Sequence, residues 1–181
     1  MPATVIRRPE RFLNVRLMWR AKVPLTAFRA YFSSVWDHDH GRVIAAAGSR
    51  RNLAHMFRYA AFPIPSGLPN SFTVWRGTNQ TGFEPARKGY SWTTGRDVAC
   101  WFAMRGAGAD SAIVLSATVN KADIVMFHDA RCEREVVLVR PPVDVCIDGT
   151  PNDWRKGYER YENSTNDAQH KRLMATQIQG E

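Results

Sequence analysis

The sequence is poor in the features that would assign a chemistry directly. It holds three cysteines, Cys100, Cys132 and Cys146. Their odd number and the lack of any C-x-x-C spacing fit reduced thiols better than a disulfide framework. No apolar run approaches the ~20 residues of a membrane span. The opening stretch "MPATVIRRPERF" has arginines but no apolar segment of the kind a secretory signal needs, so a cytoplasmic protein is expected. There is no G-x-S-x-G elbow, no H-E-x-x-H, no P-loop and no G-x-G-x-x-G; "RGAGAD" falls short of that pattern and follows a helix rather than a strand. Internal repeats and long low-complexity tracts are missing too. Carboxylates are scarce beside cations: 17 Asp and Glu face 25 Lys and Arg, a net +8, with a pI near 9.9. Such a chain attracts polyanions, whether nucleic acid, an acidic protein or a phosphate-rich cofactor.

What is present suits one domain with a full core: 181 residues, 44% hydrophobic and 23% charged, ordinary proportions for a globular chain. From about 13 to 62 the pattern is helical. "PLTAFRAYFSSVW" places Leu25, Phe28, Phe32 and Trp36 at helical spacing, and "SRRNLAHMFRYAAF" does the same with Leu53, Met56, Phe57 and Ala60 behind a Ser49 N-cap. "PIPSGLPNS" then breaks the chain. Strand patterns follow near 72–76, 89–93, 111–119 and 134–139, with "VDVCI" a further one. One helix, "TTGRDVACWFAMRGAG", lies among them, its Thr94 and Asp97 spaced like a capping box. The segment from 152 to 181 is polar, a last helix or a loose end. Helices first and strands after predict an α+β domain, with a β-rich core over about 72–147.

Two clusters invite a chemical reading. "DHDHG" (Asp37–Gly41) alternates Asp and His, but no second ligand pair accompanies it, so a solvated turn is expected and no metal. "CEREVVL" (Cys132–Leu138) sets two carboxylates two apart at the start of a core strand. In extended backbone Glu133 and Glu135 project from one face, with Arg134 turned away. Before it come an arginine closing a strand, Arg76 in "VWRG", and hydroxyls beside aromatics in "GYSWTT".

In that order, "VWRG", "SWTT-GRDVACWFA" and "EREVVL" resemble the arginine-serine-glutamate class of mono-ADP-ribosyltransferases, which includes bacterial toxins and phage-encoded enzymes. The resemblance covers about Phe72 to Val139. It implies two small, mostly antiparallel sheets beside the N-terminal helices, forming an NAD+ cleft. The class's Ser-Thr-Ser stretch is altered here. Either Ser91-Trp92-Thr93 fills it, or Trp92-Thr93-Thr94 does and the leading serine is lost; the first keeps a hydroxyl in the leading place. By this resemblance Glu135 is the catalytic carboxylate, Ser91 its orienting hydroxyl, and Glu133 the group serving the acceptor. Arg76 and Gly77, with Tyr90, Ser91, Trp92, Thr93 and Phe102, form the NAD+ site. The reaction is a glycosyl transfer with NAD+ as co-substrate and no metal.

The chemistry is consistent with those roles. Cleaving the nicotinamide–ribose bond develops cationic character at the ribose, which a nearby carboxylate stabilises. A guanidinium suits paired phosphates. Within that resemblance E-x-E implies an arginine acceptor, whereas the +8 charge favours DNA or RNA; the macromolecular acceptor is expected to be protein. The setting implied is a phage effector or a bacterial toxin, the latter paired with an antitoxin or inhibitor protein. A non-catalytic nucleic-acid binder with exposed Trp19, Trp36 and Trp154 is the alternative, and a catalytically dead transferase fold used for binding is a third.

Overall fold

The computed structural model describes residues 10–106, 111–129 and 132–178; the start of the N-terminal stretch and most of "GAGAD" lie outside them. The chain divides into two compact units, Met1–Pro65 and Ser66–Glu181. Among the described residues, no helix is long and apolar enough to cross a membrane.

The first unit is helical: α1 (Glu10–Arg20), α2 (Leu25–Ala47) and α3 (Arg50–Ala60). Its core is the apolar stripe read from the sequence. Phe28, Phe32, Trp36, Leu53, Met56 and Phe57 are each at most 1% exposed, and the Phe32 ring meets those of Phe28, Trp36 and Phe57. Ser49 caps α3 as expected, its side chain accepting the Asn52 N–H. "DHDHG" departs from expectation. It is no solvated turn at a helix end but part of α2, at a kink where Asp39 leaves helical geometry (φ −162°, ψ 78°). There Asp39 bonds the Arg42 backbone and side chain, and His40 packs on Trp36. Trp36 is not exposed either, because it closes the core.

The second unit holds β1 (Ser71–Thr78), α4 (Phe83–Ala86), β2 (Ser91–Thr93), α5 (Arg96–Met104), β3 (Ile113–Asn120), β4 (Ile124–His128), β5 (Glu135–Leu138), β6 (Val145–Ile147) and α6 (Pro151–Ile178). The α+β class holds, but the strands form one antiparallel sheet in the order β4-β5-β2-β1-β3-β6, not two. The reason is a narrow join. Strand β1 pairs with β3 along its whole length, while β1 and β2 share the single pair Trp75–Thr93. Two three-stranded halves are thus fused at one residue pair.

Helix α5 lies on β1, and Gly77 makes that approach possible: a Cβ there would collide with the Ala99 carbonyl. Over its described residues the final segment is a last helix, one of the two expected alternatives, and not a loose end. Thr150 and Asp153 exchange hydrogen bonds at its start, a capping box in all but residue type. α6 then docks on α5 through an Arg160–Asp97 fork at 2.6 and 2.8 Å and a Trp101–Glu162 bond at 2.6 Å. Trp154 is 5% exposed, so it too is core rather than surface.

Candidate active site

The strand registers lay out one transverse row. Cys146 pairs with Ser116, Ser116 with Trp75, Trp75 with Thr93, Thr93 with Glu135, and Glu135 with His128. Paired residues share a face of an antiparallel sheet, so Glu135 and Thr93 stand side by side. Ser91, two residues along β2, projects from that same face opposite Val137. Arg76, next after Trp75, leaves β1 on the other face. It reaches the β2 backbone all the same, its Nη1 donating to the Ser91 carbonyl at 2.5 Å. Glycine at 89 makes this possible, since any Cβ there would overlap the guanidinium.

The join is chemically unusual for the polar atoms it hides. Arg76 Nε, Ser91 Oγ and Thr94 Oγ1 are shielded from solvent and have no hydrogen-bond partner. Buried donors and acceptors are nearly always satisfied, so three orphans around one join are an exception that a ligand would remove. Burial depresses the Arg76 guanidinium below its ordinary pKa, while the negative charge of Glu135 opposes that shift. Arg76 and Glu135 are therefore electrostatic neighbours. Ser91 does not hydrogen-bond Glu135, contrary to its expected orienting role.

The two glutamates do not share a face by strand alternation. That argument needs extended backbone through the residue between them, and Arg134 is left-handed (φ +49°), as is Cys132 (φ +58°). The β4–β5 hairpin turns here. Asp129 Oδ1 accepts the Arg134 N–H at 3.1 Å, and the Thr93 hydroxyl donates to the Glu133 carbonyl at 2.6 Å while accepting the Gly95 N–H. Thr93, 5% exposed, is thus a clamp on the turn that presents the glutamates.

The remaining residues of the expected NAD+ site are scattered in role. Trp92 is 2% exposed, with its indole N–H on the Gly89 carbonyl. Gly77 lies under α5. Tyr90 gives its carbonyl to the Leu138 N–H. Phe102 is half-buried on α5 with the Arg105 guanidinium 4.4 Å from its ring centre. Three participants escaped the sequence reading: His128 beside Glu135, Gly89 under Arg76, and Asp129 in the turn. The run "IVMFH", a strand one short loop before the E-x-E, was the available signal for His128. Among the described residues no group of three His, Cys, Asp or Glu is gathered to hold a metal. No protein-family profile, no curated protein and no solved structure matches the chain.

Proposed function

We propose that the second unit is an NAD+-dependent mono-ADP-ribosyltransferase, working as a phage effector or bacterial toxin on a macromolecular acceptor inside the cell. The observation that supports this most is the set of orphaned polar atoms at the β1–β2 join, Ser91 on the face that carries Glu135 and Arg76 reaching the join from the other. Arg76 Nε is a free charged donor suited to a phosphate, and Ser91 Oγ and Thr94 Oγ1 suit ribose hydroxyls. All three are closed to solvent, so NAD+ reaches them only if the join opens. A single residue pair is little to open.

In this reading Arg76, Ser91 and Thr94 hold NAD+, and Glu135 faces the ribose carbon C1′. The C1′–N bond breaks with its electron pair leaving on nicotinamide, while Glu135 stabilises the developing positive charge. The acceptor nucleophile forms the new bond to C1′ and gives up one proton to Glu133. The resemblance of the E-x-E favours a protein arginine; the net charge favours a nucleic acid as the second reading. Labelled NAD+ in a whole-cell lysate separates them. Label removed by protease and stable to nuclease indicates protein, and the reverse indicates nucleic acid. Glu135→Gln is expected to abolish both NAD+ hydrolysis and transfer, whereas Glu133→Gln spares hydrolysis and damages transfer. NAD+ consumption unaffected by Glu135→Gln would sink the proposal.

A further inference from the structure

The chain's charge is segregated. Eleven Lys and Arg against three Asp and Glu fall within Met1–Pro65, a net +8, while Ser66–Glu181 carries fourteen of each and is neutral. All the excess cation of the molecule therefore belongs to the helical unit. We propose that this unit is a nucleic-acid-binding module that engages the phosphate backbone through a face made by α1 and α3.

The face is built, not merely basic. Arg51, His55 and Arg58 lie at i, i+4 and i+7 on α3, one stripe of that helix, and α3 contains no carboxylate. The His55 ring stacks on Trp19 of α1, with centroids 6.4 Å apart and planes 13° from parallel. That contact sets the α3 stripe beside the C-terminal end of α1, where Arg20 and Lys22 follow Trp19 in the chain. Lys22 stands over Trp19 and over Tyr59, 4.9 Å from the latter's centroid. Arg20, Lys22, Arg51 and Arg58 are all exposed.

Three features select nucleic acid over other polyanions. Ten of the unit's eleven cations are arginine, the residue whose fork matches phosphate and whose plane stacks on bases. An aromatic pair lies among them. An anionic membrane is disfavoured because surface binding needs an apolar face to insert, and among the described residues the unit's exposed large apolar side chains are the separate Leu17 and Leu25. Nothing here requires NAD+ or the transferase reading.

The test uses the full chain and a fluorescent single-stranded oligonucleotide of mixed sequence, followed by anisotropy across a salt series. Four phosphate contacts predict a log–log salt slope of about −3. The triple variant Arg20→Gln/Arg51→Gln/Arg58→Gln should lose about tenfold or more in affinity and flatten the slope by about 0.7 per residue. Arg51→Gln alone should give part of the same loss. Lys88→Gln/Arg155→Gln/Lys156→Gln removes equal charge from exposed sites of the neutral unit and should leave binding unchanged. Equal losses in the two triple variants, or binding to polyglutamate or phosphatidylserine vesicles as tight as to the oligonucleotide, would overturn the proposal.

Discussion

Arg76 does two things that one substitution confuses and two can separate. Its Nη1 ties β1 to β2 where the strands share one residue pair, and its Nε is the orphaned donor offered to a phosphate. Arg76→Ala removes both and leaves Glu135 without its electrostatic neighbour, so stability should fall by about 1–3 kcal/mol along with NAD+ affinity. Arg76→Lys keeps the charge but not the fork. It should retain most of the stability in a denaturant melt and still weaken NAD+ binding in calorimetry. Unchanged affinity in both variants would remove Arg76 from the site. A second residue reports on packing through pH. Cys100 is fully buried between α5 and α6, and desolvation pushes its thiol from 9.0 up to about 11. The folded state then holds a proton that the unfolded chain releases. Stability should therefore fall as pH rises through that window, by at most about 3 kcal/mol. Cys100→Ala should flatten the decline; a decline of the same slope in that variant would assign it to other groups.

Elements were legible where their signal is local and failed where a neighbour decides. The α3 cap and stripe could be read because Ser49 and the apolar spacing act within one helix. The Thr94–Asp97 pair looked like a cap by the same spacing, but α5 starts at Arg96 behind Gly95 with no side-chain cap. Other partners intervene: Thr93, two residues back, takes the Gly95 N–H, and the distant Arg160 takes Asp97. The capping exchange occurs instead at Thr150 and Asp153, ahead of a helix whose polar sequence hid its docking face. The E-x-E was read correctly as the threshold of a strand. Its shared face was not available from spacing, because a hairpin reversal places Arg134 in the left-handed region. The sheet's narrow join depends on pairing between strands, which no single segment encodes. These differences give a direct comparison by chemical denaturation. Thr150→Ala should lower stability by about 1 kcal/mol through loss of the cap. Thr94→Ala removes a hydroxyl that bonds nothing and should be neutral or slightly stabilising. A Thr94→Ala penalty as large as that of Thr150→Ala would show that Thr94 does cap α5.

At the scale of the whole molecule, a neutral sheet unit is joined to a helical unit of 65 residues bearing the entire net charge. Like charges this dense repel one another and weaken the compact state, and the scarcity of carboxylates in the helices leaves little to offset them. Asp39 with Arg42 is one such offset, on an exposed pair of small worth. Screening should therefore act unequally. Raising sodium chloride from ~0.1 to ~1 M shortens the screening length from ~10 to ~3 Å. Amide hydrogen exchange in α1, α2 and α3 should slow across that range, while β1, β3 and β5 of the neutral unit should change little. A bound oligonucleotide supplies opposing charge by a different route, so at low salt it should slow exchange in the same three helices. Adding salt on top of it should reverse part of that protection by releasing the ligand. Equal slowing in both units would mean that salt acts on apolar burial throughout the chain. Its effect would then be independent of where the charge resides.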